Sequence, residues 1–415
     1  MKRLIGVLFL SICIIFSLSP ITFAQEERIS VLVDGLPTNF DVEPIIENGR
    51  TLVPFRAIAE DLNVKVEWDG GSQTINATDK GTSIQLQIGS STAYINEMAV
   101  TLDVSPQIIN GRTLIPLRFF SEAFNCNVEW IGSRNEVKII SAPAEMKVIG
   151  FYALGDTRTS SWTNLFGAPY PEAAKGNTDV VDELAFGWYS MDREGNLLLN
   201  SKTGWQRPAG WEAVLTTAYD FNLATEMLIH ITNGDGTISS IIANEEAMKN
   251  SINSILAEVV MYGGVNLNFE SLGLSEKGEA LLDEQKRFTR FVRLLSEELH
   301  ANNKTLTLTI HPPNSAYNGY DYKALGEVAD TIIIMAYDYG PKPEPINRVL
   351  QAVEMAIAYV PAEKLVLGIS APYETPDSIL SKIGIAKRYN LQGIALWRLG
   401  LISTDMWDVL KIATR

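Results

Sequence analysis

Asn266, Asn268 and Glu270 alternate with Val265, Leu267 and Phe269 in the run Gly263-Gly264-Val265-Asn266-Leu267-Asn268-Phe269-Glu270. In a strand, where successive side chains face opposite ways, two amides and a carboxyl share one face and three apolar groups the other. Burying each polar group without a partner costs roughly 1–3 kcal/mol, so function is a reason to tolerate three in a row. An antiparallel strand with its polar face in water is the other reading; the two leading glycines and the alternating strand and helix signals nearby argue against it. The carboxyl of Glu270 is a group able both to give and to take a proton. Met335-Ala336-Tyr337-Asp338 adds a phenol and a carboxylate, and Ala395-Leu396-Trp397-Arg398 adds a flat indole.

Positioning these groups falls to eight strand candidates: 147–153, 183–189, 226–232, 264–270, 305–311, 331–337, 364–370 and 393–397. Helical segments at 244–262, 276–302, 346–359 and 378–389 lie between several of them, the pattern of parallel βαβ units. Eight such units in about 270 residues predict an α/β fold, a (β/α)8 TIM barrel, whose active site lies at the C-terminal ends of the strands. A doubly wound open sheet is the alternative, although no glycine-rich nucleotide loop is present. Glu270, Tyr337-Asp338 and Trp397 then fall at the ends of strands four, six and eight.

From about residue 146 to 415 the chain resembles glycoside hydrolase family 18, whose fourth strand reads Asp-Gly-x-Asp-x-Asp-x-Glu, whose sixth carries Met-x-Tyr-Asp and whose eighth supplies a Trp. Phe186-Gly187-Trp188-Tyr189 and Leu396-Trp397-Arg398-Leu399-Gly400 look like its spore-cortex and peptidoglycan N-acetylglucosaminidase branch. The resemblance implies that Glu270 is the general acid, with a pKa raised by a crowded apolar site, and that the substrate's own acetamido oxygen is the nucleophile. By the same likeness Asn268 holds the acetamido N–H, Tyr337 donates to its carbonyl, Asp338 contacts the sugar and Trp397 floors the ring. Asn266, Trp188 and Met335 join the substrate-binding set, and no metal or cofactor is implied. The partner is a glycan containing N-acetylglucosamine. Gly263, Asn266 and Asn268 stand where the family has aspartates, and Asn268 can accept a hydrogen bond without offering a full negative charge to a developing cation. A second reading is therefore a carbohydrate-binding barrel that has lost catalysis.

The first 140 residues hold an internal repeat. Asn48-Gly49-Arg50-Thr51-Leu52-Val53-Pro54-Phe55-Arg56 returns 62 residues later as Asn110-Gly111-Arg112-Thr113-Leu114-Ile115-Pro116-Leu117-Arg118, and Val66-Glu67-Trp68 as Val128-Glu129-Trp130. Each unit reads as an Asn-Gly turn, a strand, a helix (56–62 or 118–124) and a strand ending in Trp, a small α+β domain with a shared core. Residues 28–141 resemble the copper amine oxidase N-terminal, or stalk, domain. The resemblance implies a spacer or cell-wall-associated module, not an oxidase, and residues 25–145 contain no His to ligate copper. Arg50, Arg56, Arg112 and Arg118 form either a binding face or ion pairs within the repeat.

Lys2-Arg3, an apolar run from Leu4 to Leu18, and Thr22-Phe23-Ala24 read as a secretory signal peptide cleaved after Ala24. The expected organisation is thus 1–24 signal, 25–142 repeat domain and 146–415 barrel, joined by the short linker 141–145, in a secreted or envelope protein with no later transmembrane segment. Without Lys2 and Arg3 the 34 basic residues become 32 against 49 acidic, a net charge of −17, which disfavours nucleic acid and anionic lipid. Cys126 is the one cysteine left after cleavage and reads as a core residue. His230, His300 and His311 are too scattered for a metal triad. His230 and His311 end strands three and five and either line the cleft or are satisfied core groups. Trp162, Trp205 and Trp211 fall in predicted loops, as sugar platforms or packing groups.

Overall fold

The structure, a computed structural model, describes residues 28–153, 160–199 and 206–415. The expected signal peptide and Trp205 lie outside these. Eight parallel strands close into a barrel: Lys147–Tyr152, Glu183–Met191, Ala224–Thr232, Gly264–Glu270, Thr305–Ile310, Thr331–Ile334, Leu365–Ser370 and Gly393–Trp397, the first pairing with both the second and the eighth. Ile149, Phe151, Ala185, Leu228, Ile333, Val366 and Ala395 fill the interior beneath Trp397, while the opposite faces of the strands meet the surrounding helices.

Strand four shows how sequence sets orientation. Val265, Leu267 and Phe269 lie in the outer apolar layer, under the 23-residue helix Glu279–Ala301. That helix buries Phe288, Phe291, Val292, Leu295 and Leu299, an i, i+3, i+4 stripe. Phe269 stacks on Phe291 with centroids 5.8 Å apart and planes 10° from parallel, a contact worth about 0.5–1.5 kcal/mol beyond its buried area. With Phe269 anchored outward, period two turns Asn266, Asn268 and Glu270 toward the barrel axis.

Strand six stops at Ile334 rather than reaching Tyr337. There the backbone folds inward through bonds from Ala336 N to Ile334 O and Tyr337 N to Met335 O, both 2.8 Å. The ladder gives way to a turn that carries Tyr337 over the barrel mouth. Gly368 of strand seven makes room for it, since a Cβ there would stand 3.2 Å from the Tyr337 ring and 2.8 Å from Ile334 O. Trp162 and Trp211, expected in loops, sit in the helices Ser161–Phe166 and Trp211–Asp220. Trp162 is fully buried, and Trp211 lies under the Arg207 guanidinium at 4.4 Å.

The two repeats share one apolar cluster, to which Val53, Phe55 and Ile58 contribute from the first and Ile115, Leu117 and Phe120 from the second. Their central strands, Arg50–Pro54 and Arg112–Pro116, pair antiparallel with Val53 opposite Ile115. Those two residues are equivalents at the 62-residue offset, so a pseudo-twofold axis passes between them. Cys126 is buried in the same cluster, and burial pushes its thiol up to about 11. This unit rests on the barrel helix Pro376–Arg388. Arg388 pairs with Asp61 at 3.0 Å, Lys387 with Asp34 at 3.7 Å, and Asn63 Nδ2 donates to Lys387 O at 2.7 Å. The connector is fixed too, Ser141 N donating to Asp34 Oδ1 at 2.9 Å. No helix among the described residues is long and apolar enough to cross a membrane.

Candidate active site

A cleft of about 660 Å³ opens at the C-terminal ends of the barrel strands, lined among others by His230, Glu270, His311, Met335, Tyr337, Asp338 and Trp397. Glu270 ends strand four with its side chain 24% exposed, so one edge of the carboxyl reaches the cleft. His230, two residues before the end of strand three, brings Nε2 to 3.6 Å from Glu270 Oε1. Burial pushes the Glu270 carboxyl up, but the His230 contact, the nearby His311 ring and the Asn268 amide outweigh it and hold the pKa below the usual glutamate value. The expected raised pKa is thus corrected. The apolar surroundings are offset by two imidazoles, His230 and His311, at the ends of the neighbouring strands. His311 stacks on Tyr317 with centroids 4.0 Å apart, and burial outweighs the pull of Glu270 and Asp338 to lower its own pKa.

Tyr337 is half-buried at the cleft wall, and desolvation of its hydroxyl, reinforced by the charges of Glu270 and Asp338, pushes that group well above the ordinary tyrosine range. It therefore stays a hydrogen-bond donor across the working pH range. Asp338 follows in the left-handed region at φ 63°. Its turn is held by Glu344, which no motif of the sequence marks. Glu344 accepts Asp338 N at 3.0 Å and Tyr339 N at 3.1 Å, and Lys342 pairs with it. Trp397 meets Phe151 edge-on at 5.2 Å and lines the cleft.

Three of the expected site residues lie elsewhere. Asn268 is 1% exposed, one layer beneath the cleft, its Nδ2 donating to Thr309 O at 3.2 Å and meeting Met335 Sδ at 3.6 Å. Met335 covers it, so it supports Glu270 rather than presenting itself to a ligand. Asn266 lies deeper, donating to Glu226 Oε2 at 2.9 Å and accepting from Thr309 Oγ1 at 2.7 Å. The strand's rise puts it two layers down. Trp188 faces outward, packed on Phe186 at 4.5 Å and Tyr152 at 6.2 Å, because its position in strand two belongs to the helix-facing set.

Glu226, His230 and His311 complete the inward surface. Glu226 is buried, accepts from Thr307 and Asn266, and is pushed well above the glutamate range by that burial and by Glu183. With the Lys147–Glu183 ion pair it forms a polar column under the acid candidate, Glu226 to Asn266 to Thr309 to Asn268. The signal was present, since Glu226, Leu228 and His230 share one face of strand three by the alternation that placed Glu270.

Residues 148–372 match the model of glycosyl hydrolases family 18, and residues 32–139 that of the copper amine oxidase N-terminal domain. Among curated sequences, the chain is 30% identical over 202 residues to the "Putative sporulation-specific glycosylase YdhD" of Bacillus subtilis, covering 44% of this chain and 43% of that protein. It is 22% identical over 263 residues to the cortical fragment-lytic enzyme of the same organism, covering 45% and 60%. The chain thus spans about half the length of the curated relatives it matches. Of solved structures, the Bacillus cereus spore cortex-lytic enzyme SleL aligns with a TM-score of 0.55 at 17% identity, over 72% of this chain and 82% of that one. A chitinase from Chromobacterium violaceum aligns at 0.53 and 17%, over 64% and 98%. At these identities the structural likeness speaks for the fold.

Proposed function

Because this chain belongs to glycosyl hydrolases family 18, matched over residues 148–372, we propose that its barrel is a retaining glycosidase for β-linked N-acetylglucosamine glycans of peptidoglycan or chitin type, with Glu270 as acid/base. The observation that carries this is the convergence of Glu270, Tyr337, Asp338 and Trp397 on one cleft at the strand ends. Relatives named for spore-cortex lysis favour peptidoglycan, and the expected signal peptide favours a secreted or envelope site.

In this reading protonated Glu270 gives its proton to the glycosidic oxygen while the acetamido oxygen of the same sugar attacks the anomeric carbon. The C–O bond breaks, the leaving hydroxyl departs, and an oxazolinium ion remains. Tyr337 donates to the acetamido oxygen, and Trp397 supports the apolar face of the ring. Glu270, now a carboxylate, takes a proton from water, whose oxygen opens the oxazolinium from the face the leaving group left; configuration is retained and the acid restored. His230 favours the carboxylate, which suits the second half and makes the first half sensitive to pH. Asn268 holds Glu270 from below. The test is the anomer first released from an N-acetylglucosamine oligomer, read by proton NMR before mutarotation. The β anomer is expected, and an initial α product rules out substrate assistance.

A second reading rests on the absence of carboxylates at Gly263, Asn266 and Asn268: a weakly active or inactive carbohydrate-binding envelope protein. Calorimetry showing oligomer binding with no reducing ends formed over hours selects it.

A further inference from the structure

The pseudo-twofold axis between Val53 and Ile115 builds two equivalent clefts in the N-terminal unit, of about 480 Å³ and 400 Å³. Each is assembled across the repeats. In the larger, Arg50 comes from the central strand of the first repeat, and Asp103, Arg118, Glu122 and Trp130 from the second. In the smaller, Arg112 comes from the second, and Asp41, Arg56, Glu60 and Trp68 from the first. Every one of these five pairs is related by the 62-residue offset. Arg50 Nε meets Asp103 Oδ2 at 2.6 Å and Arg112 Nε meets Asp41 Oδ2 at 2.5 Å, so these arginines pair between repeats rather than within one, as the sequence had suggested.

Exposed ion pairs contribute only about 0–1 kcal/mol each to stability, and the indoles are left 40% (Trp68) and 39% (Trp130) exposed. Stability alone therefore does not account for the duplicated set. The indoles are placed alike, each folded over the turn that follows it: a Cβ on Gly70 would stand 3.5 Å from Trp68 Nε1, and one on Gly132 3.3 Å from Trp130 Nε1. Two arginines balance two carboxylates in each cleft, so neither sign of charge is favoured. What remains is an apolar aromatic plane beside paired donors and acceptors, the chemistry that meets a pyranose ring through its C–H face and its hydroxyls.

We propose that the twin clefts are two binding sites for the sugar backbone of a neutral glycan. The choice of an N-acetylated strand over another neutral saccharide rests on the activity proposed for the barrel. Two sites on one rigid unit would hold a polymeric strand by avidity, which multiplies affinity by about 10²–10⁴ without new contacts when both engage.

The experiment uses the full chain carrying Glu270→Gln, so that bound strands are not cut, with uncharged strands of β-linked N-acetylglucosamine as the probe and isolated stem peptides as the second arm. Combining Trp68→Ala with Trp130→Ala should raise the Kd for the strands at least tenfold, with little effect of salt. Arg50→Gln with Arg112→Gln should do the same, and serves if the tryptophan variant loses its thermal transition. Undiminished strand binding in a folded variant, or binding that follows the stem peptides and weakens with salt, overturns the proposal. The two readings fail separately: the tryptophan changes in an otherwise native chain should leave hydrolysis of a soluble oligomer at its original rate, and tryptophan-dependent binding without any hydrolysis would remove the barrel reading and keep the clefts.

Discussion

His230 Nε2 stands 3.6 Å from Glu270 Oε1 across barrel strands three and four, in a register that sets His230 beside Asn268 and Thr232 beside Glu270. The acid candidate is therefore half of a carboxylate–imidazole pair, and its protonation answers to a residue on another strand.

A general acid works protonated, and His230 and His311 favour the ionised form of Glu270. Acid function is thus lost from a lower pH than for an ordinary glutamate. Replacing His230 by Gln removes a lowering influence, the carboxyl's pKa rises, and the alkaline limb of kcat/KM moves to higher pH. A pH–rate profile over pH 4–9 checks this, and an unmoved limb shows that the pair does not govern the acid.

Tyr337→Phe removes one preorganised donor without changing the volume that Gly368 accommodates. The expected loss in kcat is about 10²–10³ with little change in thermal stability. A KM effect with kcat intact would make Tyr337 a binding group only.

Asn268→Asp replaces the Nδ2 that donates to Thr309 O with an acceptor, in a fully buried place next to Glu270. The protein should lose about 1–3 kcal/mol. Burial and the neighbouring carboxylate both raise the introduced group's folded pKa, so the loss grows as pH rises from the unfolded aspartate value toward the raised folded one and shrinks in acid. Thermal melts at pH 5 and pH 8 measure it; an equal melting change at both contradicts the placement.

Thr309→Val leaves Asn266 Oδ1 without the hydroxyl it accepts from. A buried unsatisfied acceptor costs about 1–3 kcal/mol, to be read from urea unfolding midpoints. A neutral result would mean that the polar column beneath Glu270 is loosely coupled.

Much of this was legible in the chain itself. Alternation in 264–270 orients Glu270, because Phe269 needs an apolar partner and the helix 279–301 supplies Phe291. The same alternation was there to be read in Glu226-Met227-Leu228-Ile229-His230, yet a single histidine at a strand end gave no sign of which neighbour it would meet. Trp188 misled for the opposite reason: a motif fixed its identity but not its face. The repeat showed in sequence, whereas clefts made from one repeat's arginine and the other's tryptophan exist only once Val53 pairs with Ile115. Strand six ends at Ile334, short of the expected 337: Met335 to Tyr337 are apolar enough to continue a strand, and only the inward turn stops it.

The central claim is that the Glu270 proton cleaves the glycosidic bond. Release of reducing ends from an N-acetylglucosamine glycan, measured side by side for the native chain and Glu270→Gln at equal folded concentration, tests it most directly. The account predicts steady release by the native chain and a fall of about 10²–10⁴ for the variant. Equal rates from the two proteins would contradict it.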